Sequence, residues 1–266
     1  MKHENKRRIG RAELRRDRIM IATALTASML FASTSATAQF TYNGDTGPGF
    51  WAELDAAWQA CGDDTGQSPI NIGATRPGTR LGALQPTLTL GETPISLINN
   101  GHTLENEYEP GSSITLDGVL YDLTQFHFHT LSEHSIGNKR GAMEMHAVFK
   151  DAVSGNIVVI GQLFQLGAEN DFLALIDSNL PAKSGETFES EAPINVADGF
   201  EDTRKYFTYQ GSLTTPPCSS IVTWIVLENW ATMSAEQFER FNDILGNNFR
   251  PQQPLAGRTV LKARGR

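Results

Sequence analysis

Five of the six histidines lie beyond residue 38, and three of those fall in one nine-residue run, FHFHTLSEH, from Phe126 to His134. In an extended strand, side chains alternate between faces. His127 and His129 therefore point one way, and Phe126 and Phe128 the other, toward apolar packing. Two imidazoles on one face, one pleat apart, can chelate a single metal ion. His146 follows 17 residues after His129, within MEMHAVF, a second strand candidate. The intervening LSEHSIGNKRGA contains Gly and Asn, which can turn the chain back. A hairpin would set His146 beside the pair and give three nitrogens with a fourth position open. That is the pattern of a catalytic zinc site rather than a closed structural one. A single strand histidine is ordinarily a packed or surface residue, and HxH alone is a weak signal. The third histidine on a neighbouring strand shifts the balance toward metal. Glu144 shares the face of His146, and Gln125 that of His127. Both are placed to accept the second ring N–H of a ligating histidine.

A different metal chemistry fits the same letters. HFHTLSE is also HxHxxxE, the spacing by which cupin-type β-barrels bind iron or manganese with Glu133 as a direct ligand. The second half of that motif, PxG shortly before another histidine, is missing ahead of His146.

The elements that would carry these residues are mostly short strands. Apolar or alternating runs begin at Thr87 (TLTL), Ile95 (ISLI), Ser113 (SITL), Gln125 (QFHFH), Met143 (MEMHAVF), Ile157 (IVVIGQLF) and Ile221 (IVTWIVLE), and turn residues bound most of them. Three helical stretches interrupt the pattern. They are FWAELDAAWQA from Phe50, DFLALIDSNL ahead of Pro181, and SAEQFERFNDIL, where Ser234 and Gln237 have capping-box spacing. Residues 39–49 read as a surface arm. The class is β-rich with short helices.

The first 38 residues read as a secretory signal peptide. A basic segment precedes an apolar run from Ile19, and Ala36-Thr37-Ala38 supplies a small-residue cleavage pattern. The apolar run is too short for a confident membrane span, although an uncleaved anchor is the alternative. The remaining 228 residues, 39–266, suit one large domain. They carry 14 basic and 27 acidic residues, a poor match to nucleic acid or to an anionic membrane. Two cysteines, Cys61 and Cys218, in an exported chain invite a disulfide.

Longer blocks make the pattern specific. YQGSLTTPPCSSIVTWIVLE (Tyr209 to Glu228), together with QFHFH, SEH and MEMHAVF, closely resembles the α-class carbonic anhydrases. So do GPGFW from Gly47, GQSPINI from Gly66, NNGHT from Asn99 and NNFRPQQPL from Asn247, in family order across nearly all of residues 39–266. The signal peptide and the Cys61/Cys218 pair resemble the exported bacterial branch, in which such a disulfide is common. The resemblance implies a single domain on a large, twisted, mainly antiparallel sheet. It implies Zn2+ held by His127, His129 and His146, and zinc-bound hydroxide attacking carbon dioxide to give bicarbonate and a proton.

The same resemblance assigns further residues. Thr214 would accept a hydrogen bond from the hydroxide and pass its own proton to Glu133. Gln125, Glu144 and the carbonyl of Asn248 would orient the three ligands, and His102 would shuttle protons. Val148, Val159, Leu213, Thr214, Thr215 and Trp224 would line the substrate pocket. Tyr42 would join the water network, and His134 would prop the scaffold near Glu144 and Tyr209. Glu105 departs from the pattern, standing where the family commonly has an amide, and is expected to alter the pH profile. By analogy the protein is periplasmic or secreted and a possible homodimer, with no membrane or nucleic-acid partner after signal cleavage. A non-enzymatic binding module on the same fold is a third possibility, but such relatives have typically lost a ligand histidine, and all three are present here.

Overall fold

The alternating runs assemble into one sheet. The structure, a computed structural model, describes residues 39–73, 76–77 and 86–264, so the leader expected over residues 1–38 lies outside the described residues. Ten strands follow one another across the sheet: β1 (Arg76–Pro77), β2 (Thr93–Asn99), β3 (Leu104–Glu107), β4 (Val119–His129), β5 (Met143–Lys150), β6 (Ile157–Leu166), β7 (Thr187–Ile194), β8 (Lys205–Gly211), β9 (Val222–Leu227) and β10 (Leu261–Arg264). Their spatial order is β7-β2-β3-β4-β5-β6-β9-β8-β10-β1. Most neighbours run antiparallel, and β6/β9 and β10/β1 are parallel.

The central strands are buried on both faces, which is why they read as nearly continuous apolar runs. One face carries Phe126, Phe128, Met143, Met145, Ala147, Phe149, Val158 and Ile160 into the main core. Each such side chain contributes roughly 1.5–3 kcal/mol when fully buried. The other face carries Val159, Leu163 and Trp224 into a second cluster with Ile70 and Ile72. The period of two thus separates the phenylalanines of FHFH from its histidines.

The helix Ala235–Leu245 forms with both halves of the expected capping box: Ser234 accepts from Gln237 N, and Gln237 Oε1 accepts from Ser234 N. Phe241 on this helix packs edge-on against Phe128, with ring centroids 5.0 Å apart. The helix therefore braces the back of the strand that carries His127 and His129.

Two expected helices are broken. Phe50–Ala60 splits into Trp51–Leu54 and a 3-10 turn, Ala56–Gly62, because Asp55 is extended and caps Ala57 N with its carboxylate. DFLALIDSNL gives a four-residue helix, Asp171–Ala174, and a 3-10 turn, Asp177–Asn179. Strands β3 (LENE) and β7 (TFESEAPI) are too polar to announce themselves. The sheet register, not apolar periodicity, makes them strands. No described helix is long and apolar enough to cross a membrane.

Candidate metal centre and active site

The hairpin between the two histidine strands forms. In the β4/β5 ladder His127 stands opposite His146, and Glu144 opposite His129. The three imidazoles converge, each with one nitrogen within 4.8 Å of the others. Hydrogen bonds occupy the opposite nitrogens. His127 Nδ1 meets Gln125 Oε1 at 2.8 Å, His129 Nδ1 meets the Asn248 carbonyl at 2.7 Å, and His146 Nε2 meets Glu144 Oε1 at 3.0 Å. Carbonyl and carboxylate oxygens only accept, so each of these nitrogens carries the proton. The lone pairs left over sit on His127 Nε2, His129 Nε2 and His146 Nδ1. His129 Nε2 is fully buried with no hydrogen-bond partner. A buried polar atom without a partner is costly unless something binds it, so the donor set fits a metal ion with nitrogen preference. Burial, reinforced by the neighbouring imidazoles, holds His127 well below the ordinary histidine range. Burial lowers His129 too, against the pull of Glu133. Both rings are therefore neutral at neutral pH, as a metal requires.

A second cluster, His134, Glu144 and His146, could also be read as a metal set. Its contacts instead form a closed hydrogen-bond chain. His134 gives Nδ1 to Glu144 Oε1 at 2.8 Å and its backbone N–H to Oε2 at 2.8 Å, while its Nε2 lies 2.7 Å from Tyr209 Oη. Tyr209 continues to Ser68 Oγ at 2.8 Å. Burial works against the charge on Glu144, yet His134 and His146 hold it well below the usual carboxylate range. Glu144 thus stays ionised and fixes the ring of His146.

The other anticipated residues are distributed as follows. Glu133 is buried, accepts from Arg250 N at 2.8 Å, and turns Oε2 toward His129 Nε2 (3.7 Å) and His146 Nδ1 (4.0 Å). That oxygen has no hydrogen-bond partner. The bond expected from Thr214 is therefore not made, because the carboxylate faces the imidazoles, although Thr214 is buried. Glu133 is also outside the mutual 4.8 Å set, which disfavours it as a fourth protein ligand. One pleat along from the His127/His146 row, a second row crosses the sheet as Gln125, Val148, Val159 and Trp224. Val148 and Leu213 pack against the cluster containing Val159 and Trp224, so the expected apolar wall is contiguous. Thr215 accepts from Cys218 N, and Cys218 is bonded to Cys61 across 157 residues, tying the Thr214–Thr215 loop to the 3-10 turn Ala56–Gly62.

His102 is half-buried after β2, and its ring stacks on Phe40 at 3.8 Å with an 8° interplanar angle. Partial burial lowers its pKa from the ordinary value. Its carbonyl accepts from Asn248 Nδ2. Glu105 stands opposite His127 in the β3/β4 ladder, and burial, then the charge of Glu107, raises its pKa. Tyr42 packs against Trp51 and Phe40, and its buried hydroxyl has no partner. Burial and the charge of Glu133 raise the Tyr42 pKa well above the ordinary value.

Gly161 was not singled out from sequence. It stands opposite His146 in β6, and a Cβ there would lie 2.8 Å from Glu144 Oε1. A glycine inside the apolar run IVVIGQLF is the signal of such a close approach. Arg250 was missed too. It is buried and gives its guanidinium to Gln67 Oε1 and to the carbonyls of Ser68 and Cys61.

A β-rich fold with a three-histidine cluster that could hold a metal, backed by an acid and two amides, points to a class of enzyme. The chain belongs to the eukaryotic-type carbonic anhydrase family, whose model matches residues 46–264. It is 36% identical to a carbonic anhydrase of Pectobacterium carotovorum over 91% of this chain and 98% of that one. It superposes on the α-carbonic anhydrase of Thermovibrio ammonificans, solved with the inhibitor sulfanilamide, with a TM-score of 0.79, 35% identity, and coverage of 85% of this chain and 99% of that one. Dioscorin, solved in complex with ascorbate, shares the fold at 26% identity and a TM-score of 0.78, covering 86% of this chain and 99% of that one.

Proposed function

We propose that residues 39–266 are an exported zinc carbonic anhydrase that hydrates carbon dioxide reversibly. The observation that carries the reading is the set of three unspent imidazole nitrogens, each aimed by a hydrogen bond on the far side of its ring. His127 Nε2, His129 Nε2 and His146 Nδ1 would hold Zn2+. The metal, when bound, supplies a water acidified into the neutral range, which is the general zinc chemistry of this family.

The chain's own residues do the rest. Gln125, Asn248 and Glu144 keep the ligand lone pairs pointed inward, so no tautomer search precedes metal binding. Val148, Val159, Leu213 and Trp224 offer carbon dioxide an apolar wall, which suits a molecule without charge. Thr214 orients the reacting oxygen, with Glu133 as the acceptor of its proton once the carboxylate turns toward it, and Thr215 completes the substrate pocket. His102 takes the released proton to solvent. Its lowered pKa leaves the ring unprotonated near neutral pH and quick to release a proton once it has taken one. The disulfide is consistent with an exported domain.

The dioscorin neighbour keeps a ligand-binding role on this fold in view. Stopped-flow carbon dioxide hydration by residues 39–266, with a zinc chelator and then added zinc, tests the choice. Turnover that the chelator abolishes and zinc restores is expected. A folded, zinc-loaded protein without turnover would refute the enzyme reading.

A further inference from the structure

A cavity of about 360 Å3 is lined by Ser135, Asn138, Arg140, Phe249, Pro251 and Gln252. No carboxylate lines it. The Arg140 guanidinium carbon lies over the Phe249 ring, 4.1 Å from its centroid. It makes no hydrogen bond or ion pair with any described residue. The other arginines with described side chains are all engaged: Arg204 by Asp202, Arg240 by Asp177, and Arg250 and Arg258 by backbone carbonyls. Arg140 thus has no direct ion pair in a chain with 27 acids and 14 bases after residue 38, although the buried Glu133 and Glu144 act on it through space. The contact with Phe249 holds the guanidinium in the cavity lining, and its N–H groups, taken by no described acceptor, remain available to a fork of oxygens. Asn138 adds a donor. Its Oδ1 is occupied by Asn71 Nδ2, at 2.6 Å, and its Nδ2 is unspent.

We propose that this cavity binds a small oxyanion, of the bicarbonate or phosphate kind, on the guanidinium edge of Arg140 with Asn138 Nδ2 as a second donor. The site has a mechanical link to the centre described above. Phe249 lies between Asn248, whose carbonyl accepts from His129, and Arg250, whose N–H donates to Glu133. An anion seated on Arg140 also screens a positive charge that the buried Glu133 and Glu144 sense. The binding site stands independently of the proposed reaction. Only if the occupant is bicarbonate does it become a site for that reaction's product.

The test is an NMR titration of 15N-labelled, zinc-loaded residues 39–266 with sodium bicarbonate and, separately, sodium phosphate. Chloride holds the ionic strength constant and the pH is fixed. A saturating shift of the Arg140 Nε–H resonance is expected, and the Arg140→Lys variant assigns that resonance by losing it. The Phe249 amide should shift in parallel, and Arg140→Gln should weaken that response about tenfold or abolish it. Anion binding at zinc would move active-site resonances equally in both proteins. Saturation by one anion alone identifies the source; saturation by both supports a general oxyanion site. No saturating shift of Arg140 Nε–H with either anion overturns the proposal, as does an unchanged Phe249 titration in Arg140→Gln. If that variant does not fold, the Arg140 Nε–H resonance of the unmodified protein decides alone.

Discussion

Replacing Gly161 by alanine is the sharpest probe of how the sheet supports the metal. The added methyl would sit 2.8 Å from Glu144 Oε1 and 3.8 Å from His146 Cδ2. Ordinary contact needs about 3.5 Å, so the carboxylate must retreat by roughly 0.7 Å. Oε1 accepts from His134 Nδ1 at 2.8 Å and from His146 Nε2 at 3.0 Å, and the buried side chain is also held at Oε2 by the His134 backbone N–H at 2.8 Å. A retreat of that size takes the His146 bond past useful length. A hydrogen bond to a charged group contributes about 1.5–3 kcal/mol. Loss of a carboxylate behind a ligating histidine weakens metal binding about 10–100-fold, or about 1.4–2.7 kcal/mol, so the two estimates agree. Restricting the unfolded chain with alanine works the other way by only about 0.4–1 kcal/mol. Zinc affinity should therefore fall about 10–100-fold in Gly161→Ala, measured by competition with a chelator of known affinity. In a double-mutant cycle Gly161→Ala should add little to Glu144→Ala, because both act through one carboxylate. Affinity within about twofold of the parent, or full additivity, would refute the reasoning.

Three other outcomes follow from the geometry. Reducing Cys61–Cys218, or replacing both with serine, opens a crosslink of 157 residues; the chain-entropy model gives a loss of about 5 kcal/mol as an upper value, visible as a Tm lowered by up to roughly 10–20 °C, and an unchanged Tm would contradict it. His102→Ala should lower kcat in dilute buffer while sparing kcat/KM, with added imidazole restoring it; equal loss of both parameters would remove His102 from proton transfer. The raised pKa of Glu105 means that its folded form holds the proton more tightly than the unfolded chain, so it costs stability above the unfolded pKa and nothing below it. Glu105→Gln should accordingly raise Tm at neutral pH, leave it unchanged in acid below the unfolded carboxylate pKa, and shift the pH profile of hydration. An unaltered profile would separate Glu105 from the shuttle.

The part of the site legible in the sequence is the part that one strand's periodicity controls. FHFH fixes which faces the rings take, and MEMH places Glu144 two residues from His146 on the same face. From these alone a three-nitrogen centre with a carboxylate behind it follows, and the register of β4 and β5 agrees. Residues brought in by distant segments were reachable only through the family blocks. Asn248 meets His129 across 119 positions, and no local pattern announces a carbonyl as a partner. Gly161 and Arg250 escaped even that route, since one acts by lacking a side chain and the other by filling backbone acceptors.

The same contrast explains the polar strands. LENE and TFESEAPI carry no apolar stripe, because β7 is an edge strand with mostly exposed or half-buried side chains. The charges of β7 protect its open ladder from pairing with another chain. In β3 the polarity has a further consequence. Glu105 lies directly across from His127, so a position that looks like solvent-facing strand chemistry sits beside the ligand row. Sequence polarity alone gives an exposed carboxylate there, whereas sheet order gives a half-buried one with a raised pKa. The Glu105→Gln comparison at two pH values separates those two descriptions. A surface carboxylate would leave the Tm difference flat with pH, while a carboxylate constrained beside His127 would make the difference grow as pH rises from the unfolded pKa to the raised folded one and level off above it.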